Sequence, residues 1–122
     1  MTATTELRTR IDEIIKTEPV ALFMKGTLEF VMCGNSSRAL QALRGAGAPV
    51  STIDILPDPA IRQELSALSG WPTIPQVFVR GELIGGADIV QEMAETGELE
   101  EKLTGLLGDD YRSGATEKTL TL

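Results

Sequence analysis

The five apolar residues Val20-Ala21-Leu22-Phe23-Met24 follow one another without a polar break, the pattern of a strand buried on both faces. Before them, Leu7, Ile11, Ile14 and Ile15 recur at helical spacing, predicting an amphipathic helix over Thr4–Lys16 with Thr5 as N-cap and Glu18-Pro19 as its stop. After a loop at residues 26–33, the pattern predicts a second helix from Ser36 to about Ala46, burying Ala39, Leu40 and Leu43 and ended by Gly45 and Gly47. Val50–Ile55 reads as a second strand. Asp58 and Pro59 open a third helix as N-cap and first helical residue; it buries Ile61, Leu65 and Leu68 and stops at Gly70. Gln76–Val79 and Leu83-Ile84 are the arms of a hairpin around Arg80-Gly81-Glu82. A fourth helix runs from Gly85-Gly86-Ala87-Asp88 to about Glu95, and a fifth over Glu98–Leu107.

The order α-β-α-β-α-β-β-α-α predicts an α/β domain over residues 1–108: a four-stranded mixed sheet flanked by helices on both faces, the thioredoxin-like arrangement. Residues 109–122 are polar with few apolar anchors and are expected to be a disordered tail.

Composition narrows the function. A chain of 122 residues, 42% hydrophobic, makes one domain with one core. The net charge of −7 argues against nucleic acid or an anionic membrane as partner. With no His and one Cys, a four-ligand zinc site and a disulfide framework are both excluded. The single thiol and the lack of a secretory or membrane-spanning run lead us to expect a cytoplasmic protein.

The lone Cys33 carries the most chemistry. A free cysteine is often a buried structural residue. Here it lies in a loop beside Gly34, ahead of a predicted helix and downstream of Lys25, where a helix dipole and a cation lower a thiol pKa. We therefore read it as reactive or ligating, acting with a partner from outside the chain. Trp71-Pro72-Thr73-Ile74-Pro75 reads either as a rigid turn or as a cis-proline site at Pro75, which leaves the Ile74 backbone free to pair with an extended peptide. Gly85-Gly86-Ala87-Asp88 alone is a weak signal, most often a turn. Its glycines also let backbone N–H groups approach a carboxylate, with Asp88 placed for an ammonium. Lys25 and Arg62 singly read as surface charges, and together as a grip for a second carboxylate. Glutathione, with an amino-acid zwitterion at one end and a carboxylate at the other, matches this set.

The chain resembles the monothiol glutaredoxins of the CGFS type over about residues 5–107, here with a Cys-Gly-Asn-Ser active site. The resemblance rests on Phe23-Met24-Lys25-Gly26-Thr27, the five-residue spacer to Cys33, Cys33-Gly34-x-Ser36, Asp54-Ile55-Leu56, Ile61-Arg62, Trp71 through Val77, Gly81-Glu82 and Gly85-Gly86-x-Asp88-Ile89. It implies that Cys33 is the active thiol and an iron ligand. It also implies that Lys25, Arg62 and Thr73 hold the glycyl carboxylate of glutathione, that Ile74 before Pro75 pairs with the cysteinyl unit, and that Gly86, Ala87 and Asp88 hold the γ-glutamyl end. The implied activity is binding and transfer of a [2Fe–2S] cluster by a homodimer, with two Cys33 and two glutathione thiolates as ligands. Apo iron–sulfur proteins are the implied recipients and a BolA-like protein a further partner. The alternative is weak glutathione-dependent thiol–disulfide exchange. Three positions depart from the family pattern: Asn35 stands for Phe, Val31 for Pro and Ala87 for Cys.

Overall fold

The computed structural model describes residues 3–122. Its elements are α1 (Ala3–Thr17), β1 (Val20–Met24), α2 (Gly34–Gly45), β2 (Val50–Asp54), α3 (Pro59–Ser69), β3 (Gln76–Val79), β4 (Glu82–Gly85), α4 (Ala87–Thr96), α5 (Glu98–Leu107) and β5 (Lys118–Leu120). The sheet order is β4-β3-β1-β2-β5. β1 runs parallel to β2 and antiparallel to β3, and β3 and β4 form the hairpin.

The alternation of side chains along β1 explains its unbroken apolar run. Val20, Leu22 and Met24 pack with Ala39, Leu40 and Leu43 of α2, Val90 of α4 and Leu99 and Leu103 of α5. Ala21 and Phe23 point the other way, toward Ile11 and Ile15 of α1 and Ile61 and Leu65 of α3. Phe23 meets Phe78 edge-on, their ring centroids 5.8 Å apart. Two cores thus sandwich the sheet, and β1 contributes to both. No helix among the described residues is long and apolar enough to cross a membrane.

Several expectations are corrected. α1 begins at Ala3, so Thr5 lies inside the helix and does not cap it. α2 begins at Gly34, two residues earlier than expected, which makes Cys33 its N-cap. Ile61 and Leu65 are buried as expected, but Leu68 is exposed and Glu64 is buried beside them, its carboxylate accepting a 2.6 Å hydrogen bond from Arg8 Nε. Asp58 does cap α3, accepting from the Ala60 N–H at 2.9 Å, and the helix ends at Gly70 in the left-handed region.

The largest correction concerns residues 109–122. They were expected to be a disordered tail beside a four-stranded sheet, and they supply a fifth strand. β5 pairs in parallel with β2, Lys118 opposite Ser51 and Leu120 opposite Ile53. Tyr111 is buried and its hydroxyl donates to Ala46 O at 2.7 Å. Arg44 grips the Glu117 carboxylate through two bonds of 2.6 and 3.0 Å, and Lys118 pairs with Glu18 at 3.0 Å. The segment covers an edge that β2 would otherwise expose. Replacing Tyr111 by Phe leaves the buried Ala46 carbonyl without this donor. We expect a loss of about 1–2 kcal/mol in urea unfolding; an unchanged midpoint would show that the hydroxyl does not anchor the segment.

Candidate functional site

The loop between β1 and α2 sets the position of Cys33. Gly26 bridges to Val31, closed by Met32 N–H to Lys25 O (2.9 Å) and Thr27 N–H to Phe30 O (2.9 Å). Asp54, at the end of β2, accepts from the Gly26 and Leu56 N–H groups, both at 2.9 Å, and so ties the loop to the neighbouring strand. The fully buried Ser36 accepts from the Lys25 N–H at 3.0 Å and pins the start of α2 to the end of β1. The Asp54 and Ser36 of the sequence motifs are therefore struts. At the tip, Phe30 and Met32 are 73% and 67% exposed, so two large apolar side chains stand in solvent beside the thiol.

Cys33 has extended backbone angles (φ −153°, ψ 133°) as N-cap of α2, and its side chain makes no full capping hydrogen bond. It is half-buried. The Ser36 N–H is the chief cause that holds the thiol pKa below its ordinary value. The Asn35 N–H, the Ser36 hydroxyl and the Lys25 charge add to it, while burial works in the opposite direction. The cation singled out in the sequence is thus the smallest contributor, and the helix terminus dominates. Because the folded pKa is lowered, the thiolate's contribution to stability is full above the pKa of the unfolded thiol and vanishes as pH falls through the folded value. Alkylation by iodoacetamide should follow the same titration. We expect its rate to rise with pH around a midpoint below that of the urea-unfolded chain; coincident midpoints would remove the activation.

A groove of about 350 Å³ lies between the N-terminal ends of α2 and α4 and the loop before β3. Thr73, Ile74, Pro75, Gly86, Ala87 and Asp88, all singled out in the sequence, line it, joined by Asn35, Arg38, Trp71 and Ile89. The Ile74–Pro75 bond is cis. The ladder between β1 and β3 ends at Gln76, so Ile74 lies beyond it. Gln76 is fully buried and its Nε2 donates to Trp71 O (2.9 Å) and Thr73 O (3.2 Å), holding the loop from below. A Cβ on Gly86 would stand 3.3 Å from Pro75 O and 3.4 Å from Trp71 Nε1, so glycine lets α4 start tight against this loop.

Lys25 and Arg62 are not brought into the groove lining. Lys25 directly follows β1, close enough for its charge to act on the thiol, and Arg62 Nη2 donates to Pro72 O at 3.4 Å. The lining cation is Arg38, which no motif in the sequence marks. Its guanidinium meets Asp88 at 2.7 Å and Asn35 at 2.9 Å through Nη2, and Gln91 at 2.5 Å through Nη1. Asn35 and Arg38 are spaced i, i+3 on α2, as are Asp88 and Gln91 on α4. That spacing was visible; the meeting of the two helices was not.

The Glutaredoxin family model matches residues 20–84. A Synechocystis protein described as an uncharacterized monothiol glutaredoxin is 46% identical over 98 residues, 80% of this chain and 92% of its own. The chain belongs to the monothiol glutaredoxins. The solution structure of reduced apo GrxS14 from poplar superposes on this glutaredoxin with a TM-score of 0.77 at 39% identity, covering 87% of this chain and 98% of that one. A buckwheat glutaredoxin, solved in complex with glutathione, gives 0.74 at 27% identity, covering 95% and 99%. The thioredoxin-like fold expected from the element order is the fold of this glutaredoxin, and its one cysteine agrees with the monothiol class.

Proposed function

We propose that this glutaredoxin binds a [2Fe–2S] cluster together with glutathione and passes it to apo iron–sulfur proteins. The observation that carries the reading is Cys33, activated at the start of α2 two residues before Asn35, which lines a groove the size of a small ligand site. Among the described residues no group of three or more His, Cys, Asp or Glu is placed to hold a metal ion. One thiolate per chain leaves a cluster of this kind three ligands short. Two chains and two glutathione molecules make up the set, so the carrier is a homodimer when loaded. The exposed Phe30 and Met32 offer apolar surface next to the thiol for such a meeting. Lys25, Arg62 and Thr73 are assigned to the glycyl carboxylate, the Ile74 backbone before Pro75 to the cysteinyl unit, and Gly86, Ala87 and Asp88 to the γ-glutamyl end. The buckwheat complex supports glutathione as ligand by likeness. A BolA-like protein is a further partner, and a single free thiol suits the reducing cytoplasm.

Anaerobic reconstitution with iron and sulfide tests this. A coloured dimer should form with glutathione and not without it; a colourless monomer in both cases would reject the reading.

A second reading is favoured by the activated thiol itself. The Cys33 thiolate attacks the glutathione sulfur of a protein mixed disulfide, the protein thiolate leaves, and Cys33 becomes glutathionylated. A second glutathione thiolate then attacks that sulfur, releasing oxidised glutathione and restoring Cys33. Turnover of a glutathione mixed disulfide well above background would support it, and we expect that turnover to be slow.

A further inference from the structure

We propose that Gln76 is a positioning residue of the groove: by holding the Trp71 and Thr73 carbonyls inward, its side-chain amide turns the Ile74 N–H toward the ligand. The inference rests on the glutathione reading above, in which Ile74 meets the cysteinyl unit, and names the side chain that presents it.

Gln76 is fully buried at the start of β3. The two carbonyls beside its head can only accept, so the NH2 group faces them and the amide oxygen turns away. Each Nε2 hydrogen is used, one by Trp71 O at 2.9 Å and one by Thr73 O at 3.2 Å. Oε1 is buried and accepts from no group among the described residues. A buried acceptor without a donor is unfavourable, and an apolar side chain of the same length would avoid it. Binding the two carbonyls is what an apolar side chain does not do.

Those carbonyls decide how the loop is turned. A peptide unit is planar and trans, so its C=O and the next residue's N–H point in opposite directions. With the Thr73 carbonyl drawn in to Gln76, the Ile74 N–H points away from the buried amide, on the side where Thr73 and Ile74 line the groove. The Pro72 carbonyl goes to Arg62 Nη2 at 3.4 Å, and the Trp71 N–H donates to Ser69 Oγ at 3.1 Å. Ile74 lies beyond the ladder between β1 and β3, its side chain buried, and has no hydrogen bond among the described residues. Pro72 and Thr73 are exposed, so without the amide the two carbonyls can turn to water. The fold then loses little, while the Ile74 N–H rotates away from the groove.

Calorimetry of glutathione binding to the reduced full chain tests this with two variants. Gln76→Met keeps the length of the side chain and removes the amide. We expect affinity to fall about tenfold, as for one hydrogen bond lost with its partner left unpaired. The urea midpoint should move little, because the orphan oxygen leaves with the amide. Gln76→Glu puts an acceptor where two carbonyls need a donor, and should bind more weakly still at neutral pH. Burial raises a carboxyl pKa, and as pH falls through the raised value the carboxyl gains a hydrogen for one of the carbonyls. Affinity of this variant relative to the unmodified chain should therefore recover from about pH 8 to about pH 5.5, while the ratio for Gln76→Met stays constant. Should the buried acid prevent folding, Gln76→Met carries the test alone. A Met variant that binds glutathione as well as the unmodified chain, whether or not its urea midpoint falls, makes Gln76 a strut and overturns the proposal. A folded Glu variant whose relative affinity is flat with pH overturns it too. An unmodified chain that does not bind glutathione refutes the glutathione reading itself, and the proposal with it.

Discussion

Cys33→Ser should leave a folded protein with no cluster and no thiol exchange. The chain has no other thiol, so alkylation and cluster absorbance should both fall to the blank. The fold should survive because the side chain is half-buried at an N-cap without a full capping bond. Serine is a preferred residue there, and its hydroxyl can accept from the same helix-start N–H groups that face the sulfur. We expect unfolding free energies within about 0.5 kcal/mol of each other at neutral pH, as for substitutions away from packed or strained features. Circular dichroism with urea titration reads the fold, and anaerobic absorbance reads the cluster. A variant that still takes up iron and sulfide with glutathione would place the ligand elsewhere; one that unfolds would make Cys33 a structural residue.

Gly26→Ala is expected to cost the most stability of any single methyl group added near the site. Gly26 has φ +101°, a region that L side chains rarely adopt. A Cβ there would stand 2.2 Å from Phe30 O and 2.7 Å from Met32 N, both backbone atoms held in the bonds that close the loop. Neither can move without opening the turn. Strain of this kind with the loss of one or two loop bonds amounts to about 2–4 kcal/mol. The functional consequence is larger than the stability loss. The loop sets the approach to α2, so Cys33 should drift from the helix start and its alkylation midpoint should rise toward that of a free thiol. An alanine variant with native stability and native thiol titration would show that the loop does not position Cys33.

The parts of the fold that read directly from the chain are those with one dominant local signal. β1, β3 and α5 fall on the residues that the apolar pattern marks. Asp58-Pro59 names the start of α3 because a side-chain cap and a fixed φ act within three residues. What escaped depends on partners far along the chain. β5 is three residues long; Glu18 pairs with its Lys118, and the segment leading into it is held by Arg44 at Glu117 and by Ala46 at Tyr111, none of them near in sequence. Its Lys-Thr-Leu pattern is what an exposed edge strand looks like, and equally what a tail looks like. Helical spacing alone puts Leu68 in the core, whereas α3 turns Glu64 inward beside Leu65, made tolerable by Arg8. The groove shows the same division. Thr73, Ile74, Pro75, Gly86, Ala87 and Asp88 are contiguous motifs and were legible; Arg38 is one surface cation among many until α4 is packed against α2. Lys25 and Arg62 read as one carboxylate grip because both are cations on elements that flank the groove, yet neither lines it: Lys25 lies near the thiol and Arg62 reaches the Pro72 carbonyl.

The central claim is that one Cys33 thiolate per chain is completed by glutathione to hold a cluster between two copies. Native mass spectrometry of the protein reconstituted without oxygen tests it most directly. The account predicts one species weighing two chains, two iron and two sulfide ions, and two glutathione molecules, which splits to bare monomer when the cluster is lost. A loaded species containing a single chain, or two chains and a cluster without glutathione, would contradict it.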